Sequence, residues 1–213
     1  LCEWRHGVSS AAIALFTSFF AGSSLDDVKT TTDLLLDCLS FLYENLESSC
    51  PKKAFCSQFV VQLLATTHLP MIRGFIHVPA LDTISLTCSG VKGIVGLCCA
   101  VLQHALQLIK SGEIPVSTDL GKGKACTLVR LNKASGKEST AACVFSKQNW
   151  GSATQKITIA AGRHSTLQLS NIMELARISL NGVDKKEQAS DGLESGDEYD
   201  LICKSLYSYH VSH

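Results

Sequence analysis

Ten cysteines and seven histidines are the residues of this 213-residue chain best equipped for chemistry. Their spacing decides what chemistry is open to them. No Cys-x-x-Cys pair occurs, so the usual zinc and thioredoxin-like spacings are missing. Cys203, His210 and His213 offer three ligands near one chain end with no fourth, which makes an incomplete zinc set. Cys38, Cys98 and Cys99 sit in apolar runs, where a free cysteine behaves as a small hydrophobe. Reduced, mostly buried thiols are the expectation, with no bound metal and no cofactor. A Cys–His nucleophile pair meets only in space, and with this many of both types chance proximity carries little weight.

Signatures of hydrolases, kinases, dinucleotide enzymes and metalloproteases are absent; neither Gly-x-Ser-x-Gly nor His-Glu-x-x-His occurs. Gly121-Lys122-Gly123-Lys124 lacks the four-residue spacer and the hydroxyl after lysine that a phosphate loop requires, so it reads as a flexible basic turn. No catalytic residue is assigned, and the chain is expected not to be an enzyme.

Charge layout is the strongest pattern. Nineteen basic and nineteen acidic residues cancel overall. Between positions 121 and 163, however, Lys122, Lys124, Arg130, Lys133, Lys137, Lys147, Lys156 and Arg163 face a single acid, Glu138. Positions 184–200 hold seven acids against Lys185 and Lys186. The basic segment has three readings. It contacts nucleic-acid phosphates, with Phe145 and Trp150 available for base stacking. It meets an acidic protein or the chain's own acidic stretch. Or it is a solvated surface, the reading that needs no special assumption. Ser195, followed by Gly196-Asp197-Glu198, resembles an acid-directed kinase site; a phosphate there would strengthen masking of the basic segment.

These residues must be carried by elements, and the apolar spacing supplies mostly helices. Charged residues are only 18% of the chain, below the usual quarter, so part of its apolar surface is expected to need a partner or the rest of a longer chain. Ser9 or Ser10 is expected to cap a helix that ends before Gly22. Ser24 precedes a second helix, expected to run to about Glu47, with Leu35, Leu39, Leu42 and Leu46 on one stripe and Leu34, Cys38 and Phe41 beside it. A third carries Phe55, Phe59, Leu63, Val60 and Leu64. A long fourth, about Val91 to Lys110, has a wide apolar face and Gly93 and Gly96 inside it, where neighbours can approach closely. The apolar run near the start, Ala11 to Ala21, is too short to cross a bilayer, and the second run, Gly93 to Leu102, continues into Gln103 and His104 and reads as a buried helix. The chain lacks an export pattern and an Asn-x-Ser/Thr site; an intracellular protein, cytoplasmic or nuclear, with no membrane partner is expected.

Beyond Pro115, Gly and Ser rise. Cys126–Leu131, Thr140–Phe145 and Lys156–Ala160 suggest three short strands, a small β-meander within 125–161, with turns at Asn132–Gly136 and Asn149–Gly151. Short helices at Ala125–Ala134 and Thr140–Ser146 are the competing reading. Ser165 or Thr166 caps a further helix to about Leu180; 182–200 reads as an acidic flexible loop, and 201–213 as a terminal helix.

The expected organisation is a helical part at 1–115, a basic segment plus helix at 116–181 packed on it, the loop and the terminal helix. Wide apolar faces joined by short breaks make the mainly α chain resemble armadillo or HEAT-type helical-repeat proteins over roughly 9–112, as stacked helical hairpins. A plain helical bundle fits the same faces. The resemblance is one of architecture; the wide apolar faces, the low charge, the reduced thiols and the absence of a catalytic signature lead to the expectation of a non-catalytic protein-interaction scaffold, part of a larger helical-repeat protein, with a protein as partner. The alternative function is a nucleic-acid-associated domain that binds phosphates through 121–163, using Lys122, Lys124, Arg130, Lys133, Lys137, Lys147, Trp150, Lys156 and Arg163.

Overall fold

The computed structural model describes residues 2–45, 50–72, 83–114, 130–131, 138–139 and 144–188. Helix α1 spans Cys2–Phe19, α2 Leu25–Leu36, α3 Gln58–Thr67, the short α4 Leu69–Ile72, α5 Thr83–Lys110, α6 Lys147–Ala161 and α7 Thr166–Gln188. The architecture is mainly α, six packed helices with one short turn of a seventh among the described residues.

Local signals start and stop most of them. The hydroxyls of Ser24, Ser57 and Ser146 accept the N–H of Asp27, Val60 and Asn149, each satisfying a donor the first helical turn leaves without a partner. At α7 the cap is reciprocal. Ser165 Oγ accepts the Gln168 N–H at 3.2 Å, and Gln168 Oε1 accepts the Ser165 N–H at 2.9 Å, a capping box. At the end of α5, Gly112 (φ 71°) lets its N–H reach Ile109 O while the Glu113 N–H reaches Leu108 O, closing a Schellman turn.

Five boundaries differ from the sequence expectation. Helix α3 begins at Gln58, which leaves Phe55 outside it, and α5 begins at Thr83, eight residues before Val91. Helix α1 begins at Cys2, so Ser9 is a buried residue inside it and not a cap. Helix α2 stops at Leu36 because Cys38 and Leu39 turn left-handed (φ 48° and 56°). Ser40 Oγ then donates to the carbonyls of Leu34 (2.5 Å) and Leu35 (3.2 Å), groups that a continuing helix would have occupied. The break re-aims the stripes: Phe41 and Leu42 turn inward, whereas Leu34 and Cys38 are exposed. Helix α7 runs on to Gln188, through the first part of the stretch expected to be loop.

The β-meander is corrected as well. Lys156–Ala160 lies within α6, and so does the expected turn at Asn149–Gly151. A two-residue antiparallel pairing, Arg130 with Ser139 and Leu131 with Glu138, is too short to make a sheet. The other residues assigned to the first two strands lie almost wholly outside the described set, as do the terminal helix and most of the acidic stretch.

Residues 1–180 form one unit and 181–213 a second. The centre of the first unit is α5, packed by α1, α2, α3 and α6. Every residue from Val95 to Leu102 is buried, so this helix is covered all round rather than on one face. Gly90–Lys110 is long and apolar enough to cross a membrane by length and composition alone, with a mean hydropathy of 1.5, but most of it is buried by these neighbours. Gly96 sits where α6 crosses. A Cβ there would come 2.8 Å from Thr158 Cα, closer than real contacts allow, so the two backbones approach only because the residue is glycine. Gly93 faces open space. Phe16, Phe20, Phe19 and Phe59 join α1 to α3, with ring centroids 4.9 Å apart for Phe16–Phe59 and 5.1 Å for Phe19–Phe59.

Candidate functional site

The segment after the α2 break makes one wall of a groove. Tyr43 pairs with Ala54 in an antiparallel bridge, which folds the chain back through the turn Pro51–Lys53. Phe55 has a left-handed backbone (φ 65°) and a buried ring, set edge-on to His164 at 5.3 Å. With Phe55 anchored inward, Lys52, Lys53 and Cys56 are left on the groove. Lys53 Nζ lies 2.7 Å from Glu44 Oε2, and this hydrogen bond and charge pull the ammonium above its ordinary pKa. Both groups are well exposed, so the pair orders the rim more than it stabilises the fold. Burial is the main cause that pushes the Cys56 thiol up, with the Glu44 carboxylate adding to it. A thiol held protonated is a poor nucleophile.

Helix α7 makes the other wall. Leu169, Ile172, Met173 and Ala176 face the core. Gln168, Asn171, Glu174, Leu175 and Ile178 line the groove, whose volume is about 380 Å³. Leu167, Leu175 and Ile178 are 72%, 42% and 61% exposed, so α7 is apolar on its outer side as well as its inner one. Arg177 holds Glu174 across one turn at 2.9 Å. Leu175, Ile178 and Cys56 give the groove apolar surface, and Lys52, Lys53, Glu44 and Glu174 give it charges of both signs, so it suits an apolar side chain with polar groups beside it.

A smaller cavity of about 260 Å³ lies at the start of α6, lined by Leu97, Phe145, Ser146, Lys147, Gly151, Thr154 and Gln155. Beside it, buried His104 meets Trp150 edge-on at 5.1 Å and Phe145 at 5.5 Å; Phe145 and Trp150 stack at 5.8 Å. These two rings are thus engaged in the α5–α6 seam.

Of the residues expected to contact a partner, Lys147 and Lys156 stand exposed on α6, and Arg163 is exposed just beyond it. Lys147 and Lys156 are nine positions apart, about 180° around a helix, so α6 points them in opposite directions. Trp150 is half-buried against His104. Arg130 lies in the two-residue pairing. Lys122, Lys124, Lys133, Lys137 and Ser195 fall outside the described residues, as do Cys203, His210 and His213. Among the described residues no group of three or more His, Cys, Asp or Glu side chains gathers as a metal site would require.

The sequence reading did not single out the groove. The available signal was Leu175 and Ile178 on α7, off the stripe Leu169–Ile172–Ala176 that faces inward. No protein-family model, no curated protein and no solved structure matches this chain.

Proposed function

We propose that this chain is a non-catalytic, intracellular protein-interaction domain whose working surface is the groove between α7 and the segment 43–56. One observation carries the reading: α7 keeps Leu167, Leu175 and Ile178 exposed on the side away from the core it already packs. A helix needs one apolar face to fold; a second one left in water adds nothing to folding and gains free energy only when a partner covers it. The rim charges of Lys52, Glu44 and Glu174 suit the polar edge of a protein interface, where apolar contact gives affinity and charged groups set orientation. Of the two expected architectures, the sharing of α5 by four helices favours a bundle over stacked repeats, in which each unit meets only its neighbours.

The test is chemical cross-linking in cell extract, followed by mass spectrometry. The intact chain is compared with a double variant carrying Leu175→Lys and Ile178→Lys. Both positions are solvent-exposed, so helix content should be unchanged, which circular dichroism checks. Proteins captured by the parent chain and lost by the variant support the reading. An identical set from both overturns it.

A further inference from the structure

Leu167, Asn171, Glu174 and Ile178 follow one another on α7 at intervals of four, three and four residues, the spacing of a helix–helix seam. All four are exposed. The seam is apolar at both ends and polar in the middle, and that order is self-complementary. Consider a second α7 laid against it antiparallel, about a two-fold axis between Asn171 and Glu174. Leu167 then meets Ile178 of the second copy at each end. In the centre the Asn171 amide meets the Glu174 carboxylate of the second copy, twice by symmetry. The amide has N–H groups to donate, and a carboxylate can accept them in addition to its 2.9 Å bond from Arg177. The parallel arrangement would set Glu174 against Glu174, two like charges at the middle of an apolar contact. Charge therefore selects the antiparallel pairing, and a polar pair within an apolar seam fixes its register.

We infer that the outer face of α7 is a self-association surface, occupied by α7 of a second copy in an antiparallel, two-fold symmetric pair. The inference rests on the interaction-domain reading and supplies its first partner. The seam from Leu167 to Ile178 spans about three helical turns. A contact of that length is at the small end of specific interfaces, below about 1,200 Å² in total, where associations are weak and exchange readily.

Sedimentation equilibrium of the whole chain, from about 10 μM to about 1 mM, reads associations as weak as a millimolar Kd. A monomer–dimer equilibrium within that range is expected. Ile178→Lys should weaken it about tenfold or more by burying an unpaired charge. Asn171→Glu should do the same by setting carboxylates face to face. Adding Glu174→Lys to Asn171→Glu restores opposite charges across the axis, and should bring the dimer back without restoring either original side chain. Circular dichroism of each variant confirms that the helices persist. A monomer at every concentration overturns the inference, and so does a dimer indifferent to N171E and I178K. Monomeric behaviour combined with capture that depends on Leu175 and Ile178 removes only the self-association. Loss of both removes the interaction reading as well.

Discussion

Cys98 and Cys99 have no solvent exposure to speak of, and burial pushes the Cys98 thiol up to about 12 and the Cys99 thiol well above its usual range. The hydrogen bond with Thr67 pulls Cys98 the other way but does not offset its burial. Alkylation requires the thiolate. Iodoacetamide at pH 8 should therefore modify exposed Cys38 in the folded protein and leave Cys98 and Cys99 intact until denaturant is added, which peptide mass spectrometry resolves. His68, at the end of α3, illustrates the opposite sign. Burial lowers its pKa below the ordinary 6.5, because the fold disfavours the imidazolium. The unfolded chain takes up that proton first as pH falls. The His68 contribution is thus fully present above about pH 6.5 and is lost as pH drops through that value toward the folded pKa. Urea midpoints measured between pH 7.5 and 5.5 should fall more for the parent chain than for His68→Gln.

At the scale of elements, α5 and α6 approach closely at Gly96 and Thr158. Gly96→Ala must push the Thr158 backbone away, and should cost about 1–3 kcal/mol of unfolding free energy. Gly93→Ala, three residues earlier and facing open space, should instead gain up to about 1 kcal/mol from helix propensity. Urea denaturation of the two single variants gives shifts of opposite sign if the packing is as described. This contrast explains why the sequence was legible in some places and not in others. The stripes on α5 and the Ser165 cap of α7 are local, periodic signals, and they predict those helices. Helix α6 was missed because Asn149 and Gly151 imitate a turn, while its own signals, Ser146 as cap and Trp150, Ile157 and Ala161 on one side, are sparse. The end of α2 could not be read, because its left-handed residues are Cys38 and Leu39 rather than glycine or asparagine. The groove was hidden for the same reason: its first wall exists only because the chain breaks at Cys38 and turns again at Phe55. The basic segment was conspicuous as a charge count, yet its described members on α6 point to opposite sides.

In the whole molecule, stability is concentrated along α5. Amides from Val95 to Leu102 have helical hydrogen bonds and no face open to water, so they should exchange hydrogen for deuterium only through global unfolding. Exposed residues of α7, such as Asn171, Glu174 and Ile178, should exchange through smaller openings. Mass spectrometry of peptic fragments over a time course distinguishes the two regimes, and equally fast exchange in both segments would contradict a single central helix. The order of the chain gives this arrangement one more consequence, felt before the protein is finished. On the ribosome α5 is complete at Lys110, but the helix that covers its remaining flank is not complete until Ala161. At roughly 5–20 residues per second, that interval lasts several seconds. Throughout it, α5 can pack on α1, α2 and α3 but keeps the apolar flank that α6 will cover open to water, and that flank is where a chaperone would bind until α6 arrives.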